Sequence, residues 1–147
     1  MFGMISLVPS ESNGPESTFT PECRLVDESR RYARKAVRDI RFDGDLTIAI
    51  QGPGFSYAHV VFREPIGFRV MDEAALIEYW NTYSEPQGWL WEVVRGGWLD
   101  LERQRPAFWQ GREVGWFREY FLVDEHCVNV IAVEPPEIID LGRDPSV

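Results

Sequence analysis

Glu92, Asp100 and Glu102 are the side chains whose types and spacing could do chemistry in this chain. They flank Arg95-Gly96-Gly97 within the segment 89–102. Read as a hairpin with that three-residue loop, the segment pairs Val93 with Leu99 and Trp91 with Leu101, which keeps one face wholly apolar. The other face then sets Glu92 across from Asp100, with Glu102 on the diagonal and Trp98 alongside. Like charges facing across a ladder cost a few tenths of a kcal/mol, so such a face is either solvated or occupied by something cationic. Occupied, it is a docking surface for a basic protein, with Trp98 as aromatic anchor. Alternatively, close carboxylates split their pKa values and divide acid and base roles, as in a small hydrolase or isomerase working with or without a divalent metal.

Other chemistries find less support. His59 and His126 are the only histidines, and His59 sits beside Val60-Val61 as a structural strand residue would. His126 and Cys127 are sequence neighbours, so a regular strand points them to opposite faces and they cannot grip one metal together. No cysteine–histidine spacing resembles a zinc site, and Gly52-Pro53-Gly54 is not a phosphate loop. No cofactor and no metal are expected, and no catalytic residues are assigned. Phe108-Trp109, in the stretch 103–115, offers a second aromatic contact. The basic run Arg30, Arg31, Arg34, Lys35, Arg38 and Arg41 reads as a solvated helix face paired with the chain's own acids.

Charge narrows the partner. Residues 42–147 hold 18 acidic and 8 basic side chains and all six tryptophans, whereas residues 1–41 hold 6 acidic and 7 basic, which together make the net −9. Such a chain repels phosphates and attracts basic proteins, so no nucleic-acid partner is expected. No apolar run spans a bilayer, the start has no basic n-region, and two distant cysteines read as reduced thiols. A cytoplasmic monomer or weak homodimer is the expectation; a third option is an oligomer with tryptophans buried between subunits.

The elements that must position these groups follow from periodicity. Residues 1–23, of which 9–23 are rich in Pro, Ser, Glu and Thr, read as a mobile arm or loop; 24–140 as a single domain; 141–147 as a tail. Tyr32, Ala33, Ala36, Val37 and Ile40 recur at spacings of three and four, which predicts a helix capped by Asp27; a strand over 34–42 is the alternative. A hairpin with the loop Asp43-Gly44-Asp45 pairs Phe42 with Leu46 and Ile40 with Ile48. A strand follows over 56–63, then a helix capped by Asp72 that buries Leu76, Ile77, Tyr79, Trp80 and Tyr83. A last hairpin spans 117–133 and is closed by Pro135-Pro136. The fold class is α+β: a mostly antiparallel sheet of about six strands with one or two helices packed on it.

In size, acidity and strand-rich pattern over 40–133, the chain resembles the small bacterial immunity proteins that accompany polymorphic or contact-dependent toxins. The resemblance implies a single cytosolic domain without catalytic residues that neutralises a basic toxin, such as a nuclease, by tight binding. The contacts expected are Glu92, Trp98, Asp100, Glu102 and Trp109, with Glu113, Asp124 and Glu125 as steering charges.

Overall fold

The computed structural model describes residues 20–32, 36–52, 56–80, 82–83, 88–109 and 115–143. The first hairpin forms as its apolar alternation requires. β2 (Ala36–Phe42) and β3 (Leu46–Gln51) pair Phe42 with Leu46 and Ile40 with Ile48 across Asp43-Gly44-Asp45. β4 (Ser56–Phe62) and β9 (Glu137–Arg143) complete a four-stranded antiparallel sheet in the order β2-β3-β4-β9.

A second sheet has the order β1-β6-β7-β8-β5. Its strands are β1 (Glu22–Leu25), β5 (Gly67–Asp72), β6 (Leu90–Arg95), β7 (Arg118–Leu122) and β8 (His126–Ala132). The expected 117–133 hairpin is present as β7–β8, with Leu122 opposite Val128. The sheets share one core: Leu46, Ile48, Val60 and Phe62 meet Leu90, Tyr120, Leu122 and Val130. Helical segments cover the far face of the five-stranded sheet, making a three-layer α+β fold. There Leu76 and Tyr79 pack on Trp91, Phe121 and Val123, and Leu99 packs with Phe117 and Ile131.

Several expectations are corrected. The described residues form nine strands in two sheets, not about six. The helix expected from Asp27 reduces to a 3-10 turn, Asp27–Arg31, and the alternative strand is what forms. A register shift between Val37 and Asp39 explains the misleading spacing: the bulge turns both Val37 and Ile40 toward the core, three residues apart. Pro135-Pro136 does not end the sheet, since β9 begins at Glu137 and runs to Arg143, into the expected tail. The expected arm also overlaps β1, where Cys23 pairs with Val93; the rest of that arm, up to residue 19, lies outside the described residues.

The Asp72 cap forms as expected, accepting from the Ala74 N–H at 2.8 Å. The segment it opens is short, a 3-10 turn (Glu73–Leu76) running into α1 (Ile77–Trp80). Leu76 and Tyr79 are buried, but Ile77 faces outward.

Candidate binding surfaces

The hairpin expected to gather Glu92, Asp100 and Glu102 does not exist. β6 pairs with β1 and β7 instead, and residues 98–103 form α2 (Trp98–Arg103). Leu99 is buried, but Leu101, assigned to the same apolar face, is 46% exposed. The choice is made by distant partners. Gly96 adopts φ +78°, and Gly97 lies so close to β7 that an added Cβ would sit 2.7 Å from Glu119 Oε1 and 2.6 Å from Val93 Cγ1. The Glu119 carboxylate then accepts the Leu99 N–H at 2.8 Å, and the Tyr79 hydroxyl accepts the Trp98 N–H at 3.0 Å, satisfying the open end of α2.

Each of the three carboxylates therefore has its own partners. Glu92 faces Tyr120 rather than Asp100, and its two oxygens accept from Arg24 at 2.9 Å and Arg118 at 3.1 Å. Asp100 accepts the Gly96 N–H at 2.7 Å and pairs with Arg103 at 3.2 Å. Glu102 accepts the Trp98 indole N–H at 3.0 Å and pairs with Arg105 at 2.7 Å. Trp98 is partly covered, with the Arg69 guanidinium 5.1 Å over its ring. Trp109 sits edge-on to Phe117, ring centres 5.1 Å apart. Glu113 lies outside the described residues. What replaces the acidic face is a cleft of about 290 Å³ lined by Arg24, Arg95, Arg103, Arg118, Glu92 and the exposed Trp116, among others.

The floor of this cleft is a group that sequence reasoning missed. Glu119 is 1% exposed and accepts from the Leu99 N–H, the Tyr79 hydroxyl at 3.1 Å and the Asn129 amide at 2.8 Å. Asn129 in turn accepts from Arg69 Nε at 3.1 Å, so an amide relays the carboxylate to a cation. Burial pushes the Glu119 carboxyl above its ordinary value, opposed by the donors that surround it. The same burial, with the Glu119 charge beside it, raises the Tyr79 hydroxyl. The signal available in the sequence was phase: Glu119 occupies the strand face of Phe121 and Val123.

At the other end of the five-stranded sheet, Asp124 and Glu125 do sit together, in the turn between β7 and β8. Asp124 accepts the Val37 N–H at 3.1 Å, which ties this turn to β2 of the opposite sheet. The Glu73 N–H donates to the Glu125 carbonyl at 3.1 Å, and Asp72 lies in register with His126. Asp39, Asp124 and Glu125 line an open cleft of about 370 Å³ together with Arg38, His126, Val37, Ile40 and Val70, the last 41% exposed. Among the described residues, Asp39, Asp72, Glu73, Asp124 and Glu125 form no ion pair. Beside them the buried Cys127 thiol is raised, first by burial and then by Glu73, Asp124 and Asp72.

The remaining polar candidates are accounted for. His59 packs edge-on against Tyr57 on β4, ring centres 5.6 Å apart. Cys23 and Cys127 are both free thiols. Of the basic run, Arg30 pairs with Asp27 and Arg31 with Asp140; Arg38 and Arg41 lie on strand β2 rather than a helix face, Arg38 donating to Gln51, and Arg34 and Lys35 lie outside the described residues. Among the described residues no group of three or more His, Cys, Asp or Glu side chains is placed to hold a metal, and no helix is long and apolar enough to cross a membrane. Searches for similar proteins found no matching family model, curated protein or solved structure.

Proposed function

We propose that this chain is a non-enzymatic protein-binding module, a cytoplasmic immunity protein that neutralises a basic toxin by docking it on the acidic end of the β5–β8 sheet. One observation carries the reading: five carboxylates, Asp39, Asp72, Glu73, Asp124 and Glu125, none of them in an ion pair among the described residues, gather at and beside a cleft that also holds Arg38 and apolar Val70. A surplus of charge of one sign at a concave surface speeds encounter with an opposite charge, and apolar side chains supply contact area. Asp124 and Glu125 keep the steering role expected of them. Glu92, Asp100 and Glu102 leave the contact set, because their charges are already balanced. The same pairing removes the support for a hydrolase or isomerase built on those three.

The experiment is capture from source-cell lysate on immobilised protein at low and high salt, run in parallel with Asp39→Asn/Glu73→Gln/Glu125→Gln and with Arg24→Gln. The expected result is one basic protein retained at low salt by the wild type and Arg24→Gln, and lost from the triple variant. Equal retention by the triple variant would sink the reading.

A further inference from the structure

The cleft beside α2 reverses the sign of the molecule. In a chain of net charge −9, four arginines, Arg24, Arg95, Arg103 and Arg118, line one concavity. All four have ion-pair partners, one-to-one or shared. Arg95 pairs with Glu22 and Arg103 with Asp100, but Arg24 and Arg118 share the single carboxylate of Glu92. Glu119, beneath them, is matched to Arg69 through Asn129. Among the described residues one positive charge is therefore in excess, and it resides on the Arg24–Glu92–Arg118 triad.

The triad is also geometrically open. Arg24 and Arg118 each spend one N–H on Glu92, on different oxygens, and both side chains are more than half exposed. A guanidinium has five N–H donors in a fixed fork that matches an oxyanion, so each arginine keeps donors for a ligand. An anion placed there would complete an alternating square of two cations and two anions. Against this polar wall stands Trp116, the most exposed of the described large apolar side chains at 57%. An aromatic face beside guanidinium groups accepts a planar ring by stacking. The volume, about 290 Å³, is of the order a small molecule fills.

We infer that this cleft is a binding site for a small phosphorylated molecule bearing a planar ring, of the nucleoside monophosphate class, its phosphate on Arg24 and Arg118 and its ring on Trp116. The inference stands apart from the docking reading, which uses the opposite end of the sheet.

The test uses tryptophan fluorescence and thermal denaturation with a nucleoside monophosphate, its unphosphorylated nucleoside, inorganic phosphate and malonate, each up to about 10 mM, where binding stabilises by mass action. The monophosphate should quench fluorescence and raise the Tm, inorganic phosphate should raise it less, and the nucleoside and malonate should do neither. Arg118→Gln should weaken the monophosphate at least about tenfold, the loss of one charge-assisted contact. Trp116→Ala should weaken the monophosphate while leaving inorganic phosphate unchanged, and Arg38→Gln, in the other cleft, should change nothing. Silence from every phosphate, equal response to malonate, or unaltered binding by Arg118→Gln and Trp116→Ala would each overturn the assignment.

Discussion

The two ends of the five-stranded sheet treat carboxylates in opposite ways. Around α2, Glu92, Asp100, Glu102 and Glu119 all accept from arginines, backbone N–H groups or side-chain donors. At the β7–β8 turn, Asp39, Asp72, Glu73 and Glu125 gather at and beside a cleft that also holds Arg38, and none of the four forms an ion pair among the described residues. The contrast teaches that a carboxylate's position in a net-negative chain says little about its task. Those at the first end are held by arginines or buried donors; at the second, Asp72 and Asp124 accept backbone N–H groups and no ion pair forms among the described residues.

Breaking the structural end should have the largest effect. Glu119→Leu strands the Leu99 N–H, the Asn129 amide and the Tyr79 hydroxyl in the interior. Removing one member of such a knot costs about 3–5 kcal/mol, read as a fall in urea midpoint. Gly97→Ala comes next, since its Cβ meets Val93, Glu119 and Tyr79 within 2.8 Å; overpacking of this kind costs about 1–3 kcal/mol. Tolerance of alanine at 97 would show that α2 does not need the close approach.

The pH dependence of the same group has a definite sign. Because burial raises the Glu119 carboxyl above its unfolded value near 4.5, the stability it supports is complete below that value and is lost as pH rises through the folded one. The stability advantage of wild type over Glu119→Gln should therefore shrink as pH rises above about 4.5. A difference that stays constant in denaturant titrations across that range would show that Glu119 titrates alike in both states.

Smaller effects sharpen the contrast. Asp72→Ala removes the cap on Ala74 and should cost about 1 kcal/mol by thermal denaturation. Glu92→Gln should destabilise by about 0.5 kcal/mol, having lost two partly exposed ion pairs. Glu73→Gln/Glu125→Gln should leave stability unchanged or raise it by a few tenths of a kcal/mol, through relief of like-charge repulsion. Equal losses from Glu92→Gln and the double variant would erase the distinction between the two ends.

Local alternation carried the first hairpin and the β7–β8 hairpin, because a buried face forces one register: Ile40 against Ile48, Leu122 against Val128. The Asp72 cap was legible for a similar reason, being decided within two residues. Residues 98–103 were not, since their alternation suits strand and helix alike and the decision rests on Glu119 and Tyr79, some 20 residues away. β2 misled through its bulge, which imitates helical spacing. Of the site, Asp124 and Glu125 were legible as surface charges, whereas the pairing of Glu92 with Arg24 and Arg118 depends on a strand order, β1-β6-β7, that no local pattern encodes.

The measurement that tests the central claim most directly is an amide NMR titration of the chain with the basic protein retained at low salt. The account predicts shifts at Asp39, Val70, Glu73, Asp124 and Glu125 that weaken as salt is added. Shifts confined to Trp116, Arg118 and α2, with the β7–β8 turn unmoved, would contradict it.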